Sequence, residues 1–151
     1  MASSWFKIGS DINGDAINDN SGWSVSLSAD GTILAVGSIE SSNGNGYTRI
    51  YKYLSGSWSQ LGSDIIGEAE GDRFGSSLSL SSDGTVLAIS AIGNDENGSQ
   101  TGHTRIYKYS SSSESWIQLG ADINGKAGGY LSGVSISLSS DGEVVAIEII
   151  V

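Results

Sequence analysis

SLSLSSDGTVLAIS, residues 77–90, occurs three times in this chain of 151 residues. Residues 24–37 read SVSLSADGTILAVG and residues 135–148 read SISLSSDGEVVAIE. In the middle copy Leu78 and Leu80 alternate with Ser77, Ser79 and Ser81. Period-two alternation predicts a strand with one apolar face. Serine on the second face is small, so a neighbouring sheet can approach closely there. Asp83-Gly84 is a turn dipeptide between apolar runs, which predicts a hairpin. The run from Val86 to Ile89 is apolar on both faces, as expected of a strand covered on both sides.

Outward from this hairpin the repeat continues. The hexamer TRIYKY stands at residues 48–53 and again at 104–109. Its alternation of Tyr and Ile with Arg and Lys predicts a partly exposed strand. A Trp-led segment follows, WSQLG at 58–62 and WIQLG at 116–120, and WFKIG at 5–9 opens the chain in the same way. The Trp residues are 53 and then 58 residues apart, and Asp30, Asp83 and Asp141 share those spacings. Two anchors with one offset define a true repeat. Asp-Ile linkers join the units at 11–22, 64–75 and 122–133.

Each unit is therefore four short strands, the signature of a β-propeller blade. The fold class is all-β, with blades of four antiparallel strands and about three blades per chain. Residues 1–151 form a single repeat domain, with units at about 10–62, 63–120 and 121–151 and residues 1–9 as a lone closing strand. Propellers typically have about 4–8 blades. The set is thus expected to be completed by association, with a dimer favoured, the alternative being a piece of a longer propeller that associates irregularly. Trp5, Ile8, Ile147, Ile149 and Val151 are the expected interface residues. Leu27, Leu80 and Leu138, and Ala35, Ala88 and Ala146, are expected at repeated inward positions.

The formal net charge of −10 disfavours nucleic acid, because such a surface repels phosphate. The chain has no cysteine, which excludes disulfides and thiolate metal sites. No apolar run approaches the roughly 18 residues of a membrane span. The start of the chain shows no basic or apolar leader region, so no signal peptide is expected.

The units resemble FG-GAP-type repeats, the blades of integrin-alpha-like β-propellers. The residues that carry the resemblance are Phe74-Gly75 with Ser76 to Leu80, then Asp83-Gly84, the apolar strand 86–89 and the segment 102–107. The first and third units have Ser21-Gly22 and Ser132-Gly133 where the pattern has Phe-Gly. The resemblance implies a non-catalytic interaction or structural module, adhesive in character and extracellular or at a cell surface. The family often carries a calcium loop of alternating aspartates between its first two strands. Here that loop is reduced to a single Asp, which cannot supply the 6–8 or so oxygens that calcium prefers.

Calcium has a different candidate in Asp11, Asn13, Asp15 and Asp19, whose oxygen ligands alternate. The same residues also suit an Asx-rich turn that links blades. Arg49 and Tyr51, and Arg105 and Tyr107, stand at equivalent strand positions. They could line one carbohydrate or peptide site per blade, or form Arg–aromatic stacks within the sheet. A lectin-like propeller is accordingly the alternative to the adhesive module. His103, the only histidine, aligns with Tyr47 and reads as a strand-entry aromatic. With one His and no Cys, zinc sites and Cys/His catalysis are not expected. Acids such as Asp95 and Glu96 could pair for glycoside hydrolysis, but loop acids on an acidic surface are ordinarily solvated. No enzyme is expected.

Overall fold

A computed structural model describes residues 4–40 and 44–150, so Val151 of the expected interface lies outside the described residues. The first sheet holds β1 (Ser21–Leu27), β2 (Ile33–Ser38), β3 (Tyr47–Leu54) and β4 (Ser57–Gln60), with β5 (Ile65–Ile66) also paired to β3. The second holds β6 (Phe74–Leu80), β7 (Val86–Ala91), β8 (His103–Ser110) and β9 (Ser115–Asn124). A third begins with β10 (Ile136–Leu138) and β11 (Val145–Ile147). Neighbouring strands run antiparallel in chain order. These are two four-stranded propeller blades and the first half of another, an incomplete propeller of about three blades. Among the described residues no helix is long and apolar enough to cross a membrane.

The hairpins form where the Asp-Gly pairs predict them, with four-residue loops. Gly31 N–H donates to Ser28 O, Gly84 to Ser81 O and Gly142 to Ser139 O, closing one β-turn in each unit. The glycines take φ of 73°, 70° and 74°. The Asp carboxylate then ties the loop. Asp83 Oδ1 accepts from Ser81 Oγ at 2.7 Å and from Thr85 N at 2.9 Å, while Ser81 Oγ accepts from Val86 N. Asp30 does the same with Ser28 and Thr32.

The alternation in the first strand of each blade sorts residues between two neighbours. The serines face the following blade and bond its backbone. Ser24 Oγ donates to Gly75 O at 2.6 Å, and Leu80 N donates to Ser26 Oγ at 2.9 Å. In the next blade Ile136 N and Leu138 N donate to Ser77 and Ser79 Oγ. The apolar residues face the preceding blade. Leu78 and Leu80 join Ile33, Ala35 and Ile50 of the first blade in one core, with Phe74, Leu87 and Ile89. Burying these side chains is the main stabilising term, about 1.5–3 kcal/mol for each large one.

Phe74-Gly75 locks the two complete blades together. Phe74 is fully buried and its N–H donates to Asn45 O of the first blade. Gly75 has φ +91° and lies against Gly37, so that a Cβ there would stand 3.2 Å from the Gly37 Cα.

Several expectations change. Residues 5–9 form no strand, and Trp5 is 97% exposed. The other Trp segments pair with a preceding TRIYKY strand, and residues 5–9 have none in this chain. Ile8 is likewise exposed, whereas Ile147 pairs with Ile136 inside the third sheet. Ile149 is exposed. Leu80, Ala35 and Ala88 are buried as expected, but Leu27 and Ala146 are exposed and Leu138 is only half-buried. Leu27 has no preceding blade against it. Ala146 and Leu138 sit in a sheet that has only two strands.

Candidate functional site

The third strand of each complete blade carries an arginine that clamps two linkers. Arg49 on β3 donates from Nε and Nη2 to the two oxygens of Asp64, at 2.7 and 2.6 Å. It also reaches Asp15 from Nη1 and Nη2 at 3.0 and 2.7 Å. Arg105 on β8 repeats the fork on Asp122 at 2.8 and 2.6 Å and pairs with Glu68. Asp64 and Asp122 open the linkers that leave each blade. Asp15 and Glu68 lie on the linkers that enter it. Gln60 and Gln118 each donate to the same Asp at 2.7 Å. A planar guanidinium matches two carboxylate oxygens at once, which explains why arginine occupies these positions.

The electrostatics follow the pairing. The Asp64 and then the Asp15 hydrogen bonds hold Arg49 well above its ordinary value. For Arg105 burial pulls downward, and the Asp122 and Glu68 bonds outweigh it. The Arg105 hydrogen bond keeps Asp122 below the usual carboxylate value. Tyr107 is buried, and that burial raises its hydroxyl, whereas Tyr51 is half-buried. Arg49 lies 5.1 Å from the centre of the Tyr47 ring, a neighbour on its own strand and not the Tyr51 paired with it from the sequence. The expected Arg–Tyr pairs thus sit at equivalent places, with their guanidinium donors engaged by carboxylates.

The aspartates of the first linker take separate partners. Asp11 pairs with Lys7 at 2.6 Å, and Asp15 pairs with Arg49. Asp19 is buried and accepts from Asp15 N, Ala16 N and the Tyr47 hydroxyl. Asn13 is exposed. Among the described residues, Asp11, Asp15 and Asp19 do not gather as one group of ligands.

A group not anticipated from the sequence does gather. Glu68, Glu96, His103 and Asp122 each offer a ligand atom, and these atoms lie within 4.8 Å of one another. His103 enters β8 as the alignment with Tyr47 implied. Its ring is fully buried, and neither nitrogen has a hydrogen-bond partner. Burial, and then the Arg105 charge, lower its proton affinity. The unit offset was the available signal, since it equates Glu68 with Asp15 and Asp122 with Asp64.

Residues 67–107, most of the second blade, match the family model described as FG-GAP repeat. That stretch is similar to an FG-GAP repeat. No curated protein matches it. Among solved structures, Kuenenia stuttgartiensis hydrazine synthase is similar, with a TM-score of 0.52 and 14% identity over 95% of this chain. The match covers 32% of that structure, so this chain spans about a third of its length. The likeness is one of fold. Phe74-Gly75 and the Asp83-Gly84 hairpin lie within the matched residues.

Proposed function

We propose that this chain is a non-catalytic interaction module, a run of propeller blades whose open faces dock further blades of the same kind. One observation carries the reading. Val25 and Leu27 on β1 are 62% and 54% exposed, whereas their counterparts Leu78 and Leu80 on β6 are 8% exposed under the first blade. The first face is a blade-binding surface without its blade. The complementary face stands at the other end of the chain. Ser135 and Ser137 are exposed in the third sheet, at the positions from which Ser24 and Ser26 bond the second blade. A second copy fits there, with its β1 apolar face on the serine face of the first copy. Such head-to-tail contacts close into a ring when the rotation permits, and two copies would give about six blades.

The alternative, a carbohydrate site in each blade, needs free donors at Arg49 and Arg105. Arg49 gives Nε, Nη1 and Nη2 to Asp64 and Asp15, and Arg105 gives Nε and Nη2 to Asp122 and Glu68, which argues against that reading. Light scattering tests the docking reading. A discrete species heavier than one chain is expected, returning to one chain on Leu27→Asp. A monomer at every concentration, together with specific binding on a glycan array, would favour the lectin reading instead.

A further inference from the structure

Glu68 lies on the linker between the first two blades, Glu96 on the loop before β8, His103 at the start of β8 and Asp122 on β9. Four segments distant in sequence thus bring one imidazole and three carboxylates to one place. Two observations point to a ligand there. The His103 ring is buried with 1% of its side chain accessible, and both nitrogens lack a partner. An imidazole without any hydrogen bond is a costly burial unless something accepts its lone pair. The Nδ1 atom stands 3.7 Å from Asp122 Oδ2. Two ligands each about 2.1 Å from a tetrahedral ion stand roughly 3.4 Å apart, so the pair is already close to ligating distance.

We propose that Glu68, Glu96, His103 and Asp122 bind one divalent first-row transition-metal ion, with zinc as the type. An imidazole beside carboxylates suits zinc, cobalt or manganese, whereas calcium prefers oxygen alone. The charge agrees. Three carboxylates against the single Arg105 guanidinium leave a local charge that a dication neutralises. Arg105 grips Asp122 and Glu68 and acts as a positioning residue for both. Glu96 is exposed on its loop, so it can swing onto the ion.

The first blade is an internal control. It has the same clamp in Arg49, Asp64 and Asp15, but Tyr47 replaces His103 and no acid stands among residues 41–46 to replace Glu96. The Tyr47 hydroxyl reaches Asp19 at 3.3 Å, so no orphaned group remains at that position. In the second blade the counterpart, Asp72, is held by Asn94 Nδ2 at 3.1 Å. The longer loop of the second blade is what brings Glu96 to the group. The bound ion would fasten that loop to the linker and to β9.

The experiment uses the untagged chain, whose only histidine is His103. Cobalt(II) is titrated and read by visible absorption. Zinc is then added while the single imidazole is followed by NMR. Saturation at one ion per chain is expected, with the His103 ring resonances displaced. Glu96→Gln, on an exposed loop, should weaken cobalt affinity by at least about tenfold without altering the fold. His103→Tyr, which restores the first blade's residue, should abolish the signal. No saturation at millimolar cobalt would overturn the site. So would binding that leaves the His103 resonances in place or is unchanged in Glu96→Gln.

Discussion

Leu27 and Leu80 occupy the same place in successive blades, yet Leu27 is 54% exposed and Leu80 only 8%. The strands that carry them have the same alternation and the same hairpin. The difference comes wholly from what lies on the face they present. The first blade covers Leu80, and among the described residues no blade covers Leu27. Truncation should therefore separate them. Leu80→Ala is expected to cost about 2–5 kcal/mol in urea unfolding, and Leu27→Ala under about 1 kcal/mol at concentrations where the chain is single. Equal losses would mean that the two blades do not stack as described.

Gly75 and Gly56 share a φ near +90°, but only Gly75 meets other backbone. Nothing lies within 4 Å of a Cβ at Gly56, whereas one at Gly75 meets Tyr47 O at 2.9 Å and Gly37 Cα at 3.2 Å. Gly56→Ala should cost the backbone strain alone, about 1–3 kcal/mol. Gly75→Ala should exceed it by more than about 1 kcal/mol, because the blades must part to admit the methyl group. Matching melting temperatures for the two variants would remove the close approach from the account.

The hairpin aspartates set an acid limit on stability. Asp30 lies below the ordinary carboxylate value of 3.8 chiefly through Ser28, Asp83 through Thr85 N–H and Asp141 through Ser139. A folded value below the unfolded one gives stability that is full above about 3.8 and lost as pH falls through the folded values. The melting temperature should fall below that point. Asp83→Asn should flatten the acid limb and lower the plateau at neutral pH. An unchanged acid limb in that variant would show that the turn carboxylate does not contribute.

Much of the architecture was legible because it is local and repeated. The Ser–Leu alternation and the Asp-Gly turns name the hairpin within a few residues, and the shared offsets of Trp58 and Asp83 name the blade. What escaped depends on partners far along the chain. Trp5 carries the same signature as Trp58 and forms no strand, because a strand exists only beside another strand. Leu27 reads as core by its pattern and is exposed because burial needs a neighbouring blade. Arg49 and Arg105 were visible as equivalents, but their carboxylates arrive from linkers on either side. The group around His103 was hidden in the same way, since Glu96 reaches it through a loop that only the second blade lengthens.

The central claim is that the β1 face of the first blade is a docking surface for another copy. The chain contains no cysteine, so Leu27→Cys gives a single reporter on that face. Its rate of reaction with a maleimide, measured across protein concentrations, tests the claim most directly. Fast labelling in dilute solution and strong protection as concentration rises are predicted, with protection abolished by Val25→Asp in the same chain. A labelling rate that is fast and independent of concentration would contradict it.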